Sequence, residues 1–368
     1  MKPSFFQWGR EGLTAFLADM GEPRYRAEQL LRWVYARGVC DPHDMTDIGK
    51  SLRMRLAEAI DFTPPMVDEV QISKDGTRKY LFRLADGEKI ESVMIPDGER
   101  RTLCMSSQVG CAMGCRFCFT ARGGLKRQMT PGEIAWQFSL VERDMGGERD
   151  VSRILSNVVF MGMGEPLHNL DHLVDSIEIL TADWGFGLSP KRITVSTVGI
   201  IPNIAPMLER TRANLAISLH APTPEQRLSI VPIEKKYPMN ELLEVCRGLD
   251  LRRRQRITFE YVLLRGVNDS VQDAALLAKR LRGLPAKVNL IPFNSFPGAP
   301  YSDPLEKDVF AFQARLQKGG IDAFIRKRRG EDILAACGQL RGEVDEARMP
   351  RWARDERDEQ AKATEANP

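Results

Sequence analysis

The sequence predicts an α/β protein in which a parallel sheet of six β/α units curves into a partial barrel, preceded by a small helical module. Two observations carry that expectation. From about residue 100, short β-branched or apolar runs alternate with stretches of helical period, and such alternation implies a parallel sheet with helical crossovers. Before residue 90 the alternation is absent and two amphipathic helical patterns stand in its place. The length agrees, because 368 residues suit one large catalytic domain plus a smaller one at roughly 100–200 residues per domain.

In the first module, residues 1–90, "YRAEQLLRWVYARGV" sets Ala27, Leu30, Leu31, Val34 and Tyr35 at helical spacing, and "IGKSLRMRLAEAI" repeats the pattern. "TRKYLFRLADGEKIESVMI" then alternates around Asp86-Gly87, which predicts a short strand pair with a hairpin turn. In the second module, residues 91–342, strands are expected in "TLCMSSQ", "NVVFMG", "RITVSTVG", "NLAISLHA", "RITFEYVLL" and "KVNLIPFN". Helices are expected between them in "PGEIAWQFSLVERD", "LDHLVDSIEILTAD", "IPNIAPMLERT", "MNELLEVCRGLDLRR" and "SVQDAALLAKRLRG". A last helix, "PLEKDVFAFQARLQKGG", leads to a further strand in "IDAFIRKRRG". Chemistry then belongs at the carboxyl ends of the strands. The tail, residues 343–368, is highly charged with few apolar residues and reads as a frayed helix or disordered end.

Composition narrows the class. With 43% hydrophobic and 28% charged residues the chain has the material for a sizeable core. Its net charge of +3 is too small to indicate nucleic acid by itself, so local basic runs must carry that case. The start, "MKPSFFQWGREGLTAFLADMGEP", places acidic and polar residues inside its first apolar stretch, unlike a signal peptide, and no later run reaches bilayer length. A soluble cytoplasmic protein with no membrane partner is expected.

The seven cysteines, Cys40, Cys104, Cys111, Cys115, Cys118, Cys246 and Cys337, are odd in number and clustered, which favours metal or redox chemistry over a disulfide framework. "CAMGCRFC" sets Cys111, Cys115 and Cys118 at C-x3-C-x2-C with no fourth cysteine following. Closed zinc sites and ordinary cubanes want four protein ligands. Three thiolates in a loop after the first strand of a β/α series therefore suggest a 4Fe–4S cluster with one iron left open. That spacing is the signature of radical S-adenosylmethionine (SAM) enzymes, in which the amino and carboxyl groups of SAM chelate the open iron. A zinc knuckle that recruits Cys104 as fourth ligand is the alternative. Phe117 is the aromatic expected beside the last cysteine.

The strand ends agree. "GMGEP" ends the second strand with glycines that let backbone approach a ligand closely and with Glu165, a carboxylate able to accept from an ammonium group. Ser196, the Ser218-Leu219-His220 segment and Asn294 supply hydroxyl, imidazole and amide groups at the ends of strands three, four and six. Any one of these is ordinarily a local cap. Their convergence on one face points to a polar cofactor. Outside the cluster loop, Cys337 is flanked by Ala335, Ala336 and Gly338, which leave a thiol accessible. The Arg326, Lys327, Arg328, Arg329 run upstream is expected to lower its pKa.

Taken in order, "TLCMSSQVGCAMGCRFC", "FMGMGEPLHN", "STVG", "SLHAP", "IPFN" and "RGEDILAACGQL" resemble the radical SAM adenine-C2 methyltransferases that act on 23S ribosomal RNA and transfer RNA. The resemblance also covers "GEPRYRAEQLLRWVYARGVCDPHDMT" and extends to about residue 342, while "ARGGLKRQM" departs from the family's Gly-Phe-x-Arg-Asn-Leu. It implies a partial parallel (β/α)6 barrel of radical SAM type with a small helical N-terminal accessory domain that binds RNA. It implies two SAM molecules per turnover, one a methyl donor and one a radical source bound at a cluster held by Cys111, Cys115 and Cys118. By the same resemblance Cys337 carries the methyl group, Cys104 resolves a covalent RNA adduct through a disulfide with Cys337, and Glu91 accepts a proton. Gly164, Glu165, Ser196, Ser218, Leu219, His220 and Asn294 are the implied SAM contacts, with Glu165 on the ammonium group. Thr120 and Thr197 lie nearby and are left out of that set. A flavodoxin or ferredoxin electron donor and a monomeric state are further expectations.

The runs at Arg252–Arg256 and Arg326–Arg329, with Arg24, Arg26 and Arg32, are candidate phosphate contacts. Large folded RNA is read by shape and splayed bases, so the target adenine is expected to flip into the barrel. Three other readings remain: methylation at adenine carbon 8, an iron–sulfur electron carrier, and a zinc-dependent RNA-binding module without catalysis.

Overall fold

The structure is a computed structural model and describes residues 2–147, 153–296, 298–340 and 353. The expected charged tail, 343–368, lies outside the described residues apart from Ala353. The chain opens with α1 (Arg10–Asp19), α2 (Tyr25–Leu31) and α3 (Lys50–Ala59). The last turns of the first expected helix are wound as a π segment, Arg32–Ala36. Burial of Ala27, Leu30, Leu31, Val34 and Tyr35 accounts for their helical spacing.

An antiparallel meander follows: β1 (Met66–Ile72), β2 (Arg78–Arg83) and β3 (Lys89–Asp97). The expected strand pair is β2 and β3. β1 went unforeseen because "MVDEVQI" carries two acids and lies half exposed at the sheet edge. β3 pairs antiparallel with β4 (Arg100–Cys104), the first strand of the parallel series. The strand extension therefore belongs to the same sheet as the catalytic module, and β3 runs through the expected boundary at residue 90.

A small pair, β5 (Gln108–Gly110) with β6 (Leu125–Gln128), closes the base of the cysteine loop. The series then runs α4 (Pro131–Asp144), β7 (Asn157–Phe160), α5 (Leu170–Thr181), β8 (Ile193–Thr197), α6 (Ile204–Thr211) and β9 (Asn214–Ser218). It continues through α7 (Pro224–Ile230), α8 (Met239–Gly248), β10 (Ile257–Leu263), α9 (Val271–Leu281), β11 (Ala286–Pro292), α10 (Glu306–Lys318) and β12 (Asp322–Ile325). All six expected strands are present, and β12 is the further one.

Among the described residues the sheet has the order β1-β2-β3-β4-β7-β8-β9-β10-β11-β12, with every neighbour from β4 to β12 parallel. Val93 of β3 and Phe324 of β12 line one cavity, so the sheet curls around it without its edge strands being paired. The barrel is thus partial. β10 is buried along its whole length, which explains why "ITFEYVL" reads as a nearly continuous apolar run.

The N-terminal helices sit against the outside of α4. Phe6 and Tyr35 meet Trp136 edge-on, with ring centroids 5.0 and 5.9 Å apart. The Thr130 hydroxyl donates to the Phe6 carbonyl at 2.8 Å, and Thr130 and Glu133 form a capping box that starts α4 after the cysteine loop. Arg10 reaches Glu178 of α5 at 2.9 Å.

Candidate functional site

The cysteine loop is built by its own ends. The Cys111 N–H donates to the Gly124 carbonyl at 2.8 Å, the Cys118 N–H to the Cys115 carbonyl at 3.1 Å, and the Arg116 N–H to Ile230 at 3.0 Å. Cys111, Cys115 and Cys118 then line one cavity of ≈ 140 Å³ together with Gly164, Glu165, Ser196, Ser218, His220 and Cys337. Burial raises all three loop thiols, so as free groups they hold their protons. A metal that displaces those protons is what such a donor set accommodates. Among the described residues no three His, Cys, Asp or Glu side chains converge as they would on a single ion. A cubane does not ask for that, because each thiolate binds its own iron. Residues and cluster are compatible.

The strand ends supply the rest of this cavity. Gly164 has φ +100°, and a Cβ there would lie 2.5 Å from Gln108 Cβ, so only glycine passes. The Glu165 carboxylate accepts from the N–H groups of Leu167 (3.1 Å) and Val198 (2.9 Å). Burial pushes Glu165 up to about 7, against the hydrogen bonds from Thr197, Val198 and Leu167 that favour its charge. Thr197 therefore serves the site through Glu165. Thr120 instead donates to the Leu340 carbonyl at 2.6 Å. Ser196 and Ser218 hydroxyls stand 3.4 Å apart on adjacent strands.

His220 adopts the left-handed backbone region at φ +61° and is packed edge-on by Phe117 at 4.6 Å. Its Nδ1 accepts from the Val262 N–H at 3.1 Å, leaving the proton on Nε2. Burial, then the Arg227 charge, pushes its pKa down to about 3, so the ring is neutral at physiological pH. Leu219 lines neither cavity: its side chain is in the core and its N–H donates to the Glu260 carbonyl at 3.1 Å.

A second cavity, of ≈ 720 Å³, fills the interior of the curled sheet. Cys104, at the end of β4, and Cys337 both line it, as do Cys118, Asn294, Glu260 and Arg326. Cys337, Cys118 and Glu260 line both cavities and so mark their junction. Cys104 and Cys337 are free thiols. Burial, then the neighbouring Cys337, pushes Cys104 up to about 12. The Cys337 side chain is exposed to the cavity yet walled in by protein, and burial raises its thiol too; Arg326 draws it down without prevailing. This corrects the expectation of a lowered pKa: one half-buried guanidinium does not outweigh desolvation together with Glu260 and Cys118. Glu91 is buried on β3 and lines neither cavity; Lys79 Nζ lies 3.5 Å from it. It points to the same face of β3 as Val93, the residue paired with Cys104.

Two features escaped sequence reasoning. Glu260 is buried, accepts from Asn289 Nδ2 at 2.9 Å through one carboxylate oxygen, and has no hydrogen-bond partner for the other. The readable signal was a lone acid inside the apolar run "RITFEYVLL". Asn294 Oδ1 is also buried without a partner, and both orphans suit a site that receives a polar ligand.

The second missed feature is Arg227, fully buried. It pairs with Glu234 at 2.5 Å and donates to the carbonyls of Val198 (2.5 Å) and Leu219 (3.2 Å), tying together the ends of β8 and β9. Arg227→Met is expected to cost about 3–5 kcal/mol of stability, because it leaves Glu234 as an unpaired buried charge. Urea unfolding beside the parent protein measures this, and a loss below about 1 kcal/mol would mean that the pair does not hold these strand ends.

The basic runs are largely occupied within the chain. Arg24 pairs with Glu11, Arg256 with Asp322, Arg328 with Asp303 and Glu331, and Arg252 bonds Gln255. Arg32, Arg253, Arg254 and Lys327 are exposed.

Comparison with known proteins bears on this arrangement. A family model described as the ribosomal RNA large subunit methyltransferase N-terminal domain matches residues 5–61, and the radical SAM superfamily model matches residues 105–278. A dual-specificity RNA methyltransferase RlmN of Syntrophotalea carbinolica is 47% identical over 91% of this chain and 88% of its own. The protein so named in Halorhodospira halophila is 45% identical over 94% and 95% of the two chains. A crystal structure of a radical SAM methyltransferase from Sphaerobacter thermophilus superposes with a TM-score of 0.84 at 42% identity, covering 93% of this chain and 100% of that one.

Proposed function

Because the chain belongs to the RlmN family of radical SAM dual-specificity RNA methyltransferases, we propose that the junction described above is where it methylates carbon 2 of adenine in 23S ribosomal RNA and transfer RNA. The enzyme uses a 4Fe–4S cluster and SAM. The observation that carries the assignment of residues is the position of Cys337, which lines the cluster-loop cavity and also the larger cavity that holds Cys104.

Cys111, Cys115 and Cys118 hold the cluster, and Gly164, Glu165, Ser196, Ser218, His220 and Asn294 hold SAM, with the Leu219 backbone shaping the same turn. Cys337 acts first as a thiolate: its Sγ–CH3 bond forms as the sulfonium–CH3 bond of one SAM breaks, leaving S-adenosylhomocysteine. A cluster held by Cys111, Cys115 and Cys118, with a second SAM, would supply the one-electron chemistry that removes a hydrogen atom from the methyl group on Cys337 and would take back one electron once that carbon has added to the base. The carbon carried by Cys337 then adds to carbon 2 of adenine, an electron-poor position that a direct SN2 transfer does not reach. Glu91 takes the proton from carbon 2. Cys104 attacks the Cys337 sulfur as a thiolate; the disulfide forms as the sulfur–carbon bond breaks, and the released carbon takes up a proton to become the methyl group of the base. Residues 1–90 supply the accessory RNA-binding surface and 91–342 the chemistry. The reductant is taken to be flavodoxin or ferredoxin and the working form a monomer. No described helix is long and apolar enough to cross a membrane.

Nucleoside mass spectrometry of ribosomal and transfer RNA, from cells lacking the protein and from complemented cells, tests the reaction. 2-Methyladenosine should appear on complementation in both RNA classes; 8-methyladenosine in its place would move the chemistry to another carbon.

The Glu165 carboxyl, held up to about 7, gives a pH prediction. An ammonium group binds its ionised form, which makes up roughly a tenth of the population at pH 6 and nine-tenths at pH 8. SAM affinity of the reconstituted protein is therefore expected to rise about tenfold from pH 6 to pH 8, and the rise to vanish in Glu165→Gln. Anaerobic equilibrium dialysis reads this directly. A flat profile in the parent protein would take Glu165 off the ammonium group.

A further inference from the structure

Cys337 lies on the segment 326–340, which follows β12 and contains one short 3-10 turn, Glu331–Ile333. Such a segment presents a thiol at a fixed point only where its backbone is tied to rigid parts of the fold. Its downstream end is tied to the cysteine loop: the Phe119 N–H donates to the Gly338 carbonyl at 2.7 Å, and the Thr120 hydroxyl to Leu340 at 2.6 Å. Gln339 adds a bond to the Ser295 carbonyl at 2.7 Å.

The upstream end is tied to a distant part of the sequence, the turn between β1 and β2. There the Ser73 hydroxyl donates to Asp332 Oδ1 at 2.6 Å and the Lys74 N–H to Asp332 Oδ2 at 3.2 Å. In the reciprocal direction, the Gly330 N–H donates to Asp75 Oδ2 at 3.2 Å, and Arg329 stands 3.8 Å from the same oxygen. The turn is itself fixed. The Ser73 N–H donates to the Thr77 carbonyl at 2.8 Å, and the Thr77 N–H to Asp75 Oδ1 at 2.9 Å. The two surfaces are close: Gly330 sits at φ +62°, and a Cβ there would lie 2.7 Å from Ala335 Cβ and 3.0 Å from Thr77 Cγ2.

β1 and β2 contribute no residue to either cavity, whose lining begins at β3. Their turn nevertheless makes two of the carboxylate-mediated ties on the thiol's segment, at Gly330 and Asp332, with Arg328 making another to Asp303 at 2.8 Å. We propose that the turn 73–77 is the latch that positions Cys337, with Ser73, Asp75 and Asp332 as positioning residues for the methyl-carrying thiol. The catalytic consequence rests on the role given to Cys337 above; the latch itself does not. With the upstream tie cut, the segment 331–337 pivots about its downstream bonds, and the thiol spends less time at the junction and more in solvent.

The test uses the full-length, anaerobically reconstituted protein and follows alkylation of each cysteine by iodoacetamide with peptide mass spectrometry. Ser73→Ala removes the hydroxyl's bond to Asp332, and Asp332→Ala removes that bond together with the one from the Lys74 N–H. Each is expected to speed Cys337 alkylation by about fivefold, the factor that one hydrogen bond of ordinary net strength carries. The double variant should be no faster than the quicker single one, because the Ser73 hydroxyl reaches the segment through Asp332, which is already gone in that single variant. Alkylation of Cys246, buried in α8, should not change, and Asp332→Asn, which keeps one acceptor oxygen, should fall between. The turnover number for RNA methylation should drop by a similar factor.

An unchanged Cys337 rate in either single variant, effects that multiply in the double, or equal acceleration at Cys246 would overturn the latch. If instead Cys337→Ala still methylates RNA, the role of the thiol falls while the alkylation rates continue to report on the latch.

Discussion

Cys337→Ala is expected to reduce RNA methylation below detection while leaving the iron and sulfide content of the reconstituted protein unchanged. The reason is positional. Cys337 lies outside the C-x3-C-x2-C loop yet lines the same cavity, and the backbone bonds that hold it there run through Phe119 and Gly338, not through the thiol. On the proposed roles, removing the sulfur takes away the methyl carrier and leaves the three cluster ligands in place. Iron and sulfide assays beside methylation of a transfer RNA substrate make the comparison. Intact protein mass supplies a second reading, since the parent protein incubated with SAM should gain one methyl group that the variant lacks. Retained turnover in the variant would end the covalent-carrier mechanism, and loss of iron would mean that Cys337 serves the cluster.

Cys104→Ala is expected to give an enzyme that begins the reaction and does not finish it, accumulating a protein–RNA adduct. Cys104 and Cys337 face one cavity; Cys104 feels the Cys337 thiol, and Arg326 acts on both. Burial, then the Cys337 thiol, pushes Cys104 up to about 12, so as a free group it holds its proton. Without Cys104 no sulfur remains at the end of β4 to attack Cys337, and the carbon bridge between enzyme and adenine stays unbroken. A slow-migrating, nuclease-sensitive band on a denaturing gel after anaerobic turnover reports the adduct. Normal release of 2-methyladenosine by Cys104→Ala would show that another group resolves it.

Some of this was legible one segment at a time. The C-x3-C-x2-C spacing names its chemistry because loop ligands need only local chain geometry to meet. The six parallel strands and the helices between them other than the seven-residue α7 follow from periodicity, down to α4, whose expected bounds match Pro131–Asp144. β1, β5 and β6 were not legible, since an acidic edge strand and two strands of three and four residues have too little pattern to separate from loop. The effect on Cys337 of its upstream basic run was misread for a different reason: charge can be counted along a sequence, but desolvation is a property of the surrounding walls.

The sequence by itself determined the parallel sheet, the cluster loop, the strand ends that face it and the two thiols set apart from the loop. These are matters of residue type, spacing and period. The tertiary structure alone decided that Cys337 stands where two cavities meet, that Glu260 lies beside it with a free oxygen, that Arg227 ties β8 to β9, and that Ser73 holds Asp332 from 259 positions away. The physical reason is that period and spacing are set by covalent geometry over a few residues, whereas these contacts exist only after the sheet has curled and brought its two edges toward one another.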